Sequence, residues 1–225
     1  MSISKQVNEN VNKIITSTFA IIQNVYDKQK EVDGKPNEDS KSRIIFPKKR
    51  DMTTRVSEQE LRFIFVEQLN IWIKKGWDVY YSVETPTKDC YVFTDEGNNN
   101  VPRIAEKDKE GNPLEGQSAS FDLVIHDVNY KRIALIEFKA NNASENDHKK
   151  DFCKLNNEIE RNEKEDVEAE TFFIEILTGS NKQTYSSIAK KIKSFKGVFR
   201  CYSLGEKGEI TDEIIKRQND PSSSL

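Results

Sequence analysis

Charged side chains interrupt two apolar segments that otherwise have the composition of buried β-strands. The first segment, residues 120–125, reads Ser-Phe-Asp-Leu-Val-Ile and contains Asp122. The second segment, residues 133–140, reads Ile-Ala-Leu-Ile-Glu-Phe-Lys-Ala and contains Glu137 and Lys139. A charge in a central strand is costly unless an ion or a partner group compensates it. Two carboxylates and an ammonium in one place therefore indicate a metal site that handles phosphate.

The spacing of the two segments predicts how they pair. The polar stretch between them, residues 126–132, is short enough to be a hairpin connection. A two-residue turn at Asn129 and Tyr130 places Asp122 directly opposite Glu137. Opposed residues of antiparallel strands share a sheet face, with Cβ atoms about 4.5–5.5 Å apart. Because magnesium binds oxygen atoms at about 2.1 Å, two such carboxylates can share one ion.

Lys139 belongs to the same face, because it lies two residues beyond Glu137 on the same strand. The alternative interpretation is structural. Glu137 and Lys139 would then form an ion pair on an edge strand, and Asp122 would be an ordinary polar strand residue. The predicted position of Asp122 opposite Glu137 favours the metal site.

The composition is that of a globular protein rich in charge. The 225 residues include 35 Lys and Arg and 38 Asp and Glu, for a net charge of −3, so any nucleic-acid binding must rely on local basic patches. Three widely spaced cysteines without metal-site spacing indicate reduced thiols in a cytoplasmic protein. There is no apolar run of about 18 residues and no signal-peptide pattern, so neither a membrane span nor secretion is expected.

Apolar periodicity and turn residues predict an alternation of helices and strands. The predicted helices cover residues 5–31, 57–76, 141–165 and 182–195. The predicted strands cover residues 77–83, 120–125, 133–140, 171–177 and 197–204, with a further short strand at 91–93 inside an irregular stretch, 84–119. This order is typical of an α/β sheet with helices on both faces.

The chain is predicted to have three parts. Residues 1–50 are interpreted as an N-terminal helix and linker added to the core, with the helix serving as a homodimer contact. Residues 51–210 would form the main domain. Residues 211–225, which end in a serine-rich segment, are predicted to be a disordered tail.

The element order and the motif together resemble the PD-(D/E)XK nuclease superfamily. Its core, α-β-β-β-α-β, carries an Asp on one strand and (Asp/Glu)-x-Lys on the next. Asp122, Glu137 and Lys139 match these positions, and the resemblance covers roughly residues 55–178. Phe121 stands where the family name has a proline.

The family often has a further glutamate on the first helix of its core, and two residues are candidates for it here. Glu60 is preferred because it lies at the helix start, ahead of the apolar run. It also completes a Ser-x-x-Glu capping box with Ser57, which accounts for it without any catalytic role. Glu67 is the other candidate, and a partly exposed, solvated glutamate is its simpler explanation.

The resemblance implies a restriction-endonuclease-like mixed sheet flanked by helices, with the N-terminal helix as an addition. It also implies that Asp122 and Glu137 hold Mg²⁺ or Mn²⁺, and that Lys139 and Glu60 are catalytic. The implied activity is metal-dependent hydrolysis of DNA phosphodiester bonds, and RNA ranks below DNA as substrate. The alternative is a catalytically inactive module of the same fold that binds nucleic acid or protein.

Two lysines on the predicted helix after the motif are candidates for contacts with the DNA backbone. Lys149 and Lys150 follow the second motif strand closely enough to reach phosphate groups near the site. Charge runs of this kind are more often solvated helix faces. Both interpretations remain open for this pair.

Overall fold

The computed structural model describes residues 3–31, 42–93, 102–141, 145–163 and 167–211. The helices are α1 (Ile3–Glu31), α2 (Glu58–Lys74), α3 (Glu145–Leu155), α4 (Glu158–Arg161) and α5 (Lys182–Ser194). The strands are β1 (Tyr80–Val92), β2 (Arg103–Ile104), β3 (Gln117–His126), β4 (Arg132–Ala140), β5 (Asn162–Glu163), β6 (Val167–Glu168), β7 (Glu170–Leu177), β8 (Val198–Ser203) and β9 (Gly208–Glu209). The predicted tail beyond residue 211 and most of the predicted linker lie outside the described residues.

One mixed sheet of seven strands organises the protein, in the order β2-β1-β3-β4-β7-β8-β9. β1, β3 and β4 pair antiparallel, whereas β4, β7 and β8 pair parallel. Parallel neighbours need long crossovers, and here α3 and α5 lie in the segments that connect them. The predicted α/β class with an N-terminal helix is confirmed.

Strand β1 is longer than the sequence indicates. Its predicted end was Val83, but pairing with β3 continues to Tyr91, through part of the stretch predicted to be irregular. Glu84 has a positive φ of 48°, and the register shifts between Pro86 and Cys90. Cross-strand pairing therefore overrides the weak strand propensity of this segment.

Alternate residues of β4 point to opposite layers of helices. The ring of Phe138 packs 5.3 Å from the ring of Phe65 on α2. The neighbouring residue, Glu137, instead accepts a hydrogen bond from Lys154 on α3. Because side chains alternate along a strand, α2 covers one sheet face and α3 the other.

Helix α1 is part of this core. Val11, Ile14 and Ile22 are fully buried, and they belong to the same apolar cluster as α2 and the sheet. The ring of Phe19 packs 5.0 Å from that of Tyr202 on β8. The proposed homodimer contact through this helix is therefore not supported, because the apolar face needed for it is covered within the chain.

The helix after the motif is shorter than predicted. It ends at Leu155 instead of continuing to residue 165. Asn157 then caps the separate helix α4 by accepting a hydrogen bond from the Ile159 backbone N–H. As a result the side chain of Ile159 is largely outside the core, and the residue is 49% exposed.

The described part of the chain contains no helix with the length and apolar character that crossing a bilayer requires. Its three cysteines, Cys90, Cys153 and Cys201, are free thiols. Burial raises the pKa of both Cys153 and Cys201, which favours the protonated, unreactive form of each thiol.

Candidate functional site

The register between β3 and β4 is the predicted one. Leu123 pairs with Ile136 and Val124 with Leu135, so continuing the same register sets Asp122 opposite Glu137. The turn prediction was wrong, because the loop has one more residue than expected. A compensating register shift lies between Ile125 and His126, next to the turn.

The hairpin loop explains how a longer turn keeps the register. Asp127 donates its backbone N–H to the Lys131 carbonyl at 2.9 Å, which leaves three residues in the loop. Tyr130, the last of the three, has a positive φ of 62°. A three-residue loop that ends in a left-handed residue and a bulge is a common hairpin geometry.

Asp122 lies against the backbone of the motif strand. Its Oδ2 accepts a hydrogen bond of 2.8 Å from the backbone N–H of Phe138. Its Oδ1 is 3.9 Å from Nη1 of Arg62 on α2. The carboxylate therefore lies against the strand segment that contains Glu137 and Lys139.

Glu137 is buried, with 2% of its surface exposed. Burial raises the pKa of its carboxyl well above the usual value, and the nearby Asp151 and Asp122 carboxylates raise this pKa further. Lys154 opposes the shift by donating a hydrogen bond to Glu137 Oε1. Burial and like charges this close disfavour the ionised form of the carboxyl unless a cation compensates them.

Lys139 is held between acidic groups on both helix layers. Its Nζ is 2.8 Å from Oδ2 of Asp151 on α3 and 3.8 Å from Oε1 of Glu58 on α2. Burial alone would lower the pKa of this ammonium, but the Asp151, Glu137 and Glu58 carboxylates outweigh burial and raise it. Lys139 is therefore a positive charge at neutral pH.

An open pocket of about 280 Å³ lies over this ammonium. It is lined by Glu58, Lys139, Asp147, Lys150 and Asp151. Burial raises the pKa of Glu58, and Lys139 opposes that rise. The pocket therefore offers a fixed cation and a carboxyl group with an increased affinity for protons, both accessible from solvent.

The helix residue beside Lys139 is Glu58, and neither predicted candidate occupies that position. Glu60 accepts a hydrogen bond of 3.1 Å from the Ser57 backbone N–H, as the capping box requires. Glu67 accepts a hydrogen bond of 3.0 Å from the Ser42 hydroxyl. Side chains two residues apart on a helix point in different directions, so Glu60 turns away from the cluster that Glu58 joins.

The two lysines predicted to contact phosphate have different surroundings. Lys150 is half-buried, lines the pocket and lies 5.9 Å from the centre of the Phe93 ring. Lys149 is exposed on the outer side of α3. Only Lys150 is therefore adjacent to the group of residues around Lys139.

Sequence reasoning missed Asp151 and Lys154, which form the α3 side of the site. Asp151 lies one turn after His148 and one turn before Leu155, both of which are buried. It therefore occupies an inward position by helical spacing, which was the available signal. Lys154 is its i+3 neighbour, at 3.0 Å.

The side chains present fit a hard divalent cation. Mg²⁺ prefers oxygen ligands and is commonly held by one or two carboxylates, with waters and substrate phosphate completing its shell. Asp122 and Glu137, opposed on neighbouring strands, provide two such carboxylates. Within the described ranges, no three Asp, Glu, His or Cys side chains are grouped closely enough to hold an ion by themselves.

Comparisons with known proteins provide no independent assignment. No family model matches the sequence, and no similar protein was found among curated proteins or solved structures.

Proposed function

We propose that the protein is a metal-dependent nuclease that hydrolyses DNA phosphodiester bonds, with a restriction-endonuclease-like core. One observation carries the proposal. The Asp122 and Glu137 carboxylates are opposed on antiparallel strands, and Lys139 lies on the same face beside a solvent-accessible pocket. This is the residue set of the superfamily that the sequence resembles.

Asp122 and Glu137, with the Phe138 carbonyl, would hold Mg²⁺ or Mn²⁺. When bound, such an ion polarises the scissile phosphate and lowers the pKa of a coordinated water. The hydrogen bond from the Phe138 N–H restricts the orientation of the Asp122 carboxylate. Tight positioning of this kind limits the reorganisation needed when an ion and a substrate bind.

Lys139 stabilises the charge that accumulates on the phosphate in the transition state. Its raised pKa keeps the ammonium protonated, and its salt bridge to Asp151 orients it. Glu58 lies on the open side of this ammonium, and burial raises its pKa. A carboxylate with a raised pKa is a better proton acceptor, so Glu58 takes the role first expected of Glu60.

Lys150, at the rim of the pocket, would contact the DNA backbone, and Lys149 would do so further out. An ammonium near the phosphate backbone strengthens binding without sequence preference. With a net charge of −3, the protein would depend on such local contacts to bind DNA.

The test is a plasmid-cleavage assay with Mg²⁺, with and without chelator. Lys139→Met should lower the cleavage rate by about 10²–10³-fold, the usual loss when one group that stabilises transition-state charge is removed. Lys207→Met is the matched control, because Lys207 is exposed and pairs with Asp27, a residue of α1 outside the site. Cleavage that persists in chelator and in Lys139→Met would refute the mechanism.

One observation favours the second candidate, an inactive module that binds nucleic acid or protein. Lys154 and Arg62 already lie next to the two carboxylates, so each carboxylate has a cationic neighbour in the absence of a metal ion. This candidate predicts no cleavage of DNA or RNA and no saturable binding of Mn²⁺ by calorimetry. The same samples therefore distinguish the two functions.

A further inference from the structure

The ammonium of Lys154 is enclosed by three oxygen acceptors. Its Nζ donates to the Ser120 carbonyl at 2.7 Å and to Glu137 Oε1, and it lies 3.0 Å from Oδ1 of Asp151. A lysine ammonium has three N–H donors, so this environment offers one acceptor for each. Only 7% of the side chain is exposed.

These acceptors are of the type that a hard divalent cation uses. Carboxylates and backbone carbonyls are the usual protein ligands of such ions. Glu137 is also the carboxylate to which the proposed function assigns a metal ion. An ammonium and a divalent cation cannot both lie against the same carboxylate oxygen without strong repulsion.

We infer that Lys154 is an internal counter-cation, which holds the metal-binding carboxylate of Glu137 until a divalent ion displaces it. The inference rests on the proposed function, because that function identifies Glu137 as a metal ligand. Metal binding is then an exchange of one cation for another. The free energy of breaking the Lys154–Glu137 pair lowers the apparent affinity for the ion.

The neighbouring groups make this exchange a short movement. Asp151 interacts with both lysines, Lys154 through Oδ1 and Lys139 through Oδ2. After displacement from Glu137, Lys154 therefore keeps a carboxylate partner on its own helix. Glu137 simultaneously gains a divalent ion, so neither charge is left buried without a partner.

A second lysine that is paired with a buried glutamate provides a matched control. Lys191 on α5 lies 3.5 Å from Oε1 of Glu175, and only 11% of the Lys191 side chain is exposed. Glu175 is fully buried on β7, the strand next to β4. The same substitution at Lys191 removes a similar ion pair without changing Glu137.

Calorimetry with Mn²⁺ tests the inference on the full chain. Lys154→Met should bind the ion at least about tenfold more tightly than the native protein, a coupling of ordinary size between two binding events. Lys191→Met should bind with native affinity at this site. Equal affinities for the native chain and Lys154→Met would overturn the inference.

A second measurement avoids dependence on the stability of Lys154→Met. Amine-specific labelling of the native chain, read by peptide mass spectrometry, should modify Lys154 slowly without metal and faster at saturating Mn²⁺. Lys191 should react at the same rate in both conditions. Protection of Lys154 that persists at saturating metal would overturn the inference, including when Lys154→Met fails to fold.

The outcomes separate this inference from the proposed function. Tighter Mn²⁺ binding by Lys154→Met without any cleavage by the native chain would support the counter-cation and refute the nuclease. Mg²⁺-dependent cleavage with unchanged affinity and unchanged labelling would refute the counter-cation alone. Absence of Mn²⁺ binding in every variant would refute both.

Discussion

Two buried glutamates on the same side of the sheet have contrasting surroundings. Glu160, on the short helix α4, is fully buried, and donors contact both of its carboxylate oxygens. Glu137, on β4, is almost as buried but lies near two other carboxylates. The surroundings of Glu160 stabilise a negative charge, whereas those of Glu137 disfavour one.

The hydrogen-bond donors around Glu160 come mainly from strand β1. The backbone N–H groups of Lys88 and Asp89 donate at 2.9 Å each, and the Tyr91 hydroxyl donates at 3.0 Å. Arg132 adds a fourth contact at 3.1 Å. Glu160 thereby joins α4 to β1 and to the start of β4, so its role is structural.

The type of partner distinguishes a structural buried charge from one that is available for function. Backbone N–H donors contact both oxygens of Glu160, whereas the donor to Glu137 is the ammonium of a lysine, whose stem has several rotatable bonds. A carboxylate held by a movable partner can exchange that partner for an ion. Perturbed groups of this kind are concentrated at functional sites.

The largest expected effect comes from making the same change at both glutamates. Under the proposed function, Glu137→Gln should lower Mg²⁺-dependent cleavage by about 10³-fold, because it removes a carboxylate that the proposal assigns to the metal ion. Its stability should stay within about 1 kcal/mol of native, since the amide oxygen can still accept from Lys154. Plasmid cleavage and urea denaturation measure the two quantities.

Glu160→Gln should give the reverse pattern. Its amide N–H₂ would face donors, so we expect a loss of about 3 kcal/mol in unfolding free energy, with cleavage retained in the folded fraction. Equal stability losses for the two glutamine variants would contradict the distinction between the two environments.

A third buried glutamate, Glu175, tests the sign of the pH dependence of folding stability. Although burial alone would raise the pKa of Glu175, the hydrogen bond from His148 and the charge of Lys191 lower it below its usual value. A carboxylate with a lowered folded-state pKa stabilises the protein above the unfolded pKa, and this contribution is lost as pH falls through the folded pKa. Glu175→Gln should therefore be less stable than native at pH 7, by about 1.5–3 kcal/mol, and the gap should narrow below about pH 4.5.

Glu137 should show the opposite sign. Its folded-state pKa is raised, so ionisation of this carboxyl destabilises the folded protein as pH increases through that pKa. In metal-free buffer, the stability of Glu137→Gln relative to native should therefore rise with pH. Denaturation curves collected from pH 4 to pH 8 would show this rise in relative stability. The same direction of change with pH for the Glu137 and Glu175 variants would contradict the prediction.

The smallest expected effects distinguish the two glutamates at the start of α2. Glu58→Gln should slow cleavage by about 10²-fold, the lower end of the loss for one acid–base group, and should leave stability nearly unchanged. Glu60→Gln should keep the native cleavage rate and lose up to about 1 kcal/mol through the weakened cap. Reversal of these two results would restore Glu60 as the helix glutamate.

The local pattern was enough to predict the motif strands and their register. Alternation of apolar residues set the faces of β3 and β4, and the short polar segment required a hairpin. Although the predicted turn was one residue too short, Asp122 is still opposite Glu137, because a bulge accommodates the additional residue. A slip of one residue would have moved the apolar side chains of a strand to the wrong face.

The elements that cover helix α1 were harder to predict. The apolar stripe of α1 indicated that one face is buried, but a stripe contains no information about what covers it. An intramolecular cover and a second copy of the chain have the same sequence signature. The structure shows that the cover is α2 and the sheet of the same chain.

The α/β class, the motif residues and the register that opposes Asp122 to Glu137 were therefore predictable from the amino-acid pattern, because these depend on periodicities within neighbouring segments. The placement of Glu58, Asp151 and Lys154 around Lys139 and Glu137 was not predictable in this way. Those residues reach it from helices on opposite faces of the sheet, and such distant contacts depend on how whole elements pack.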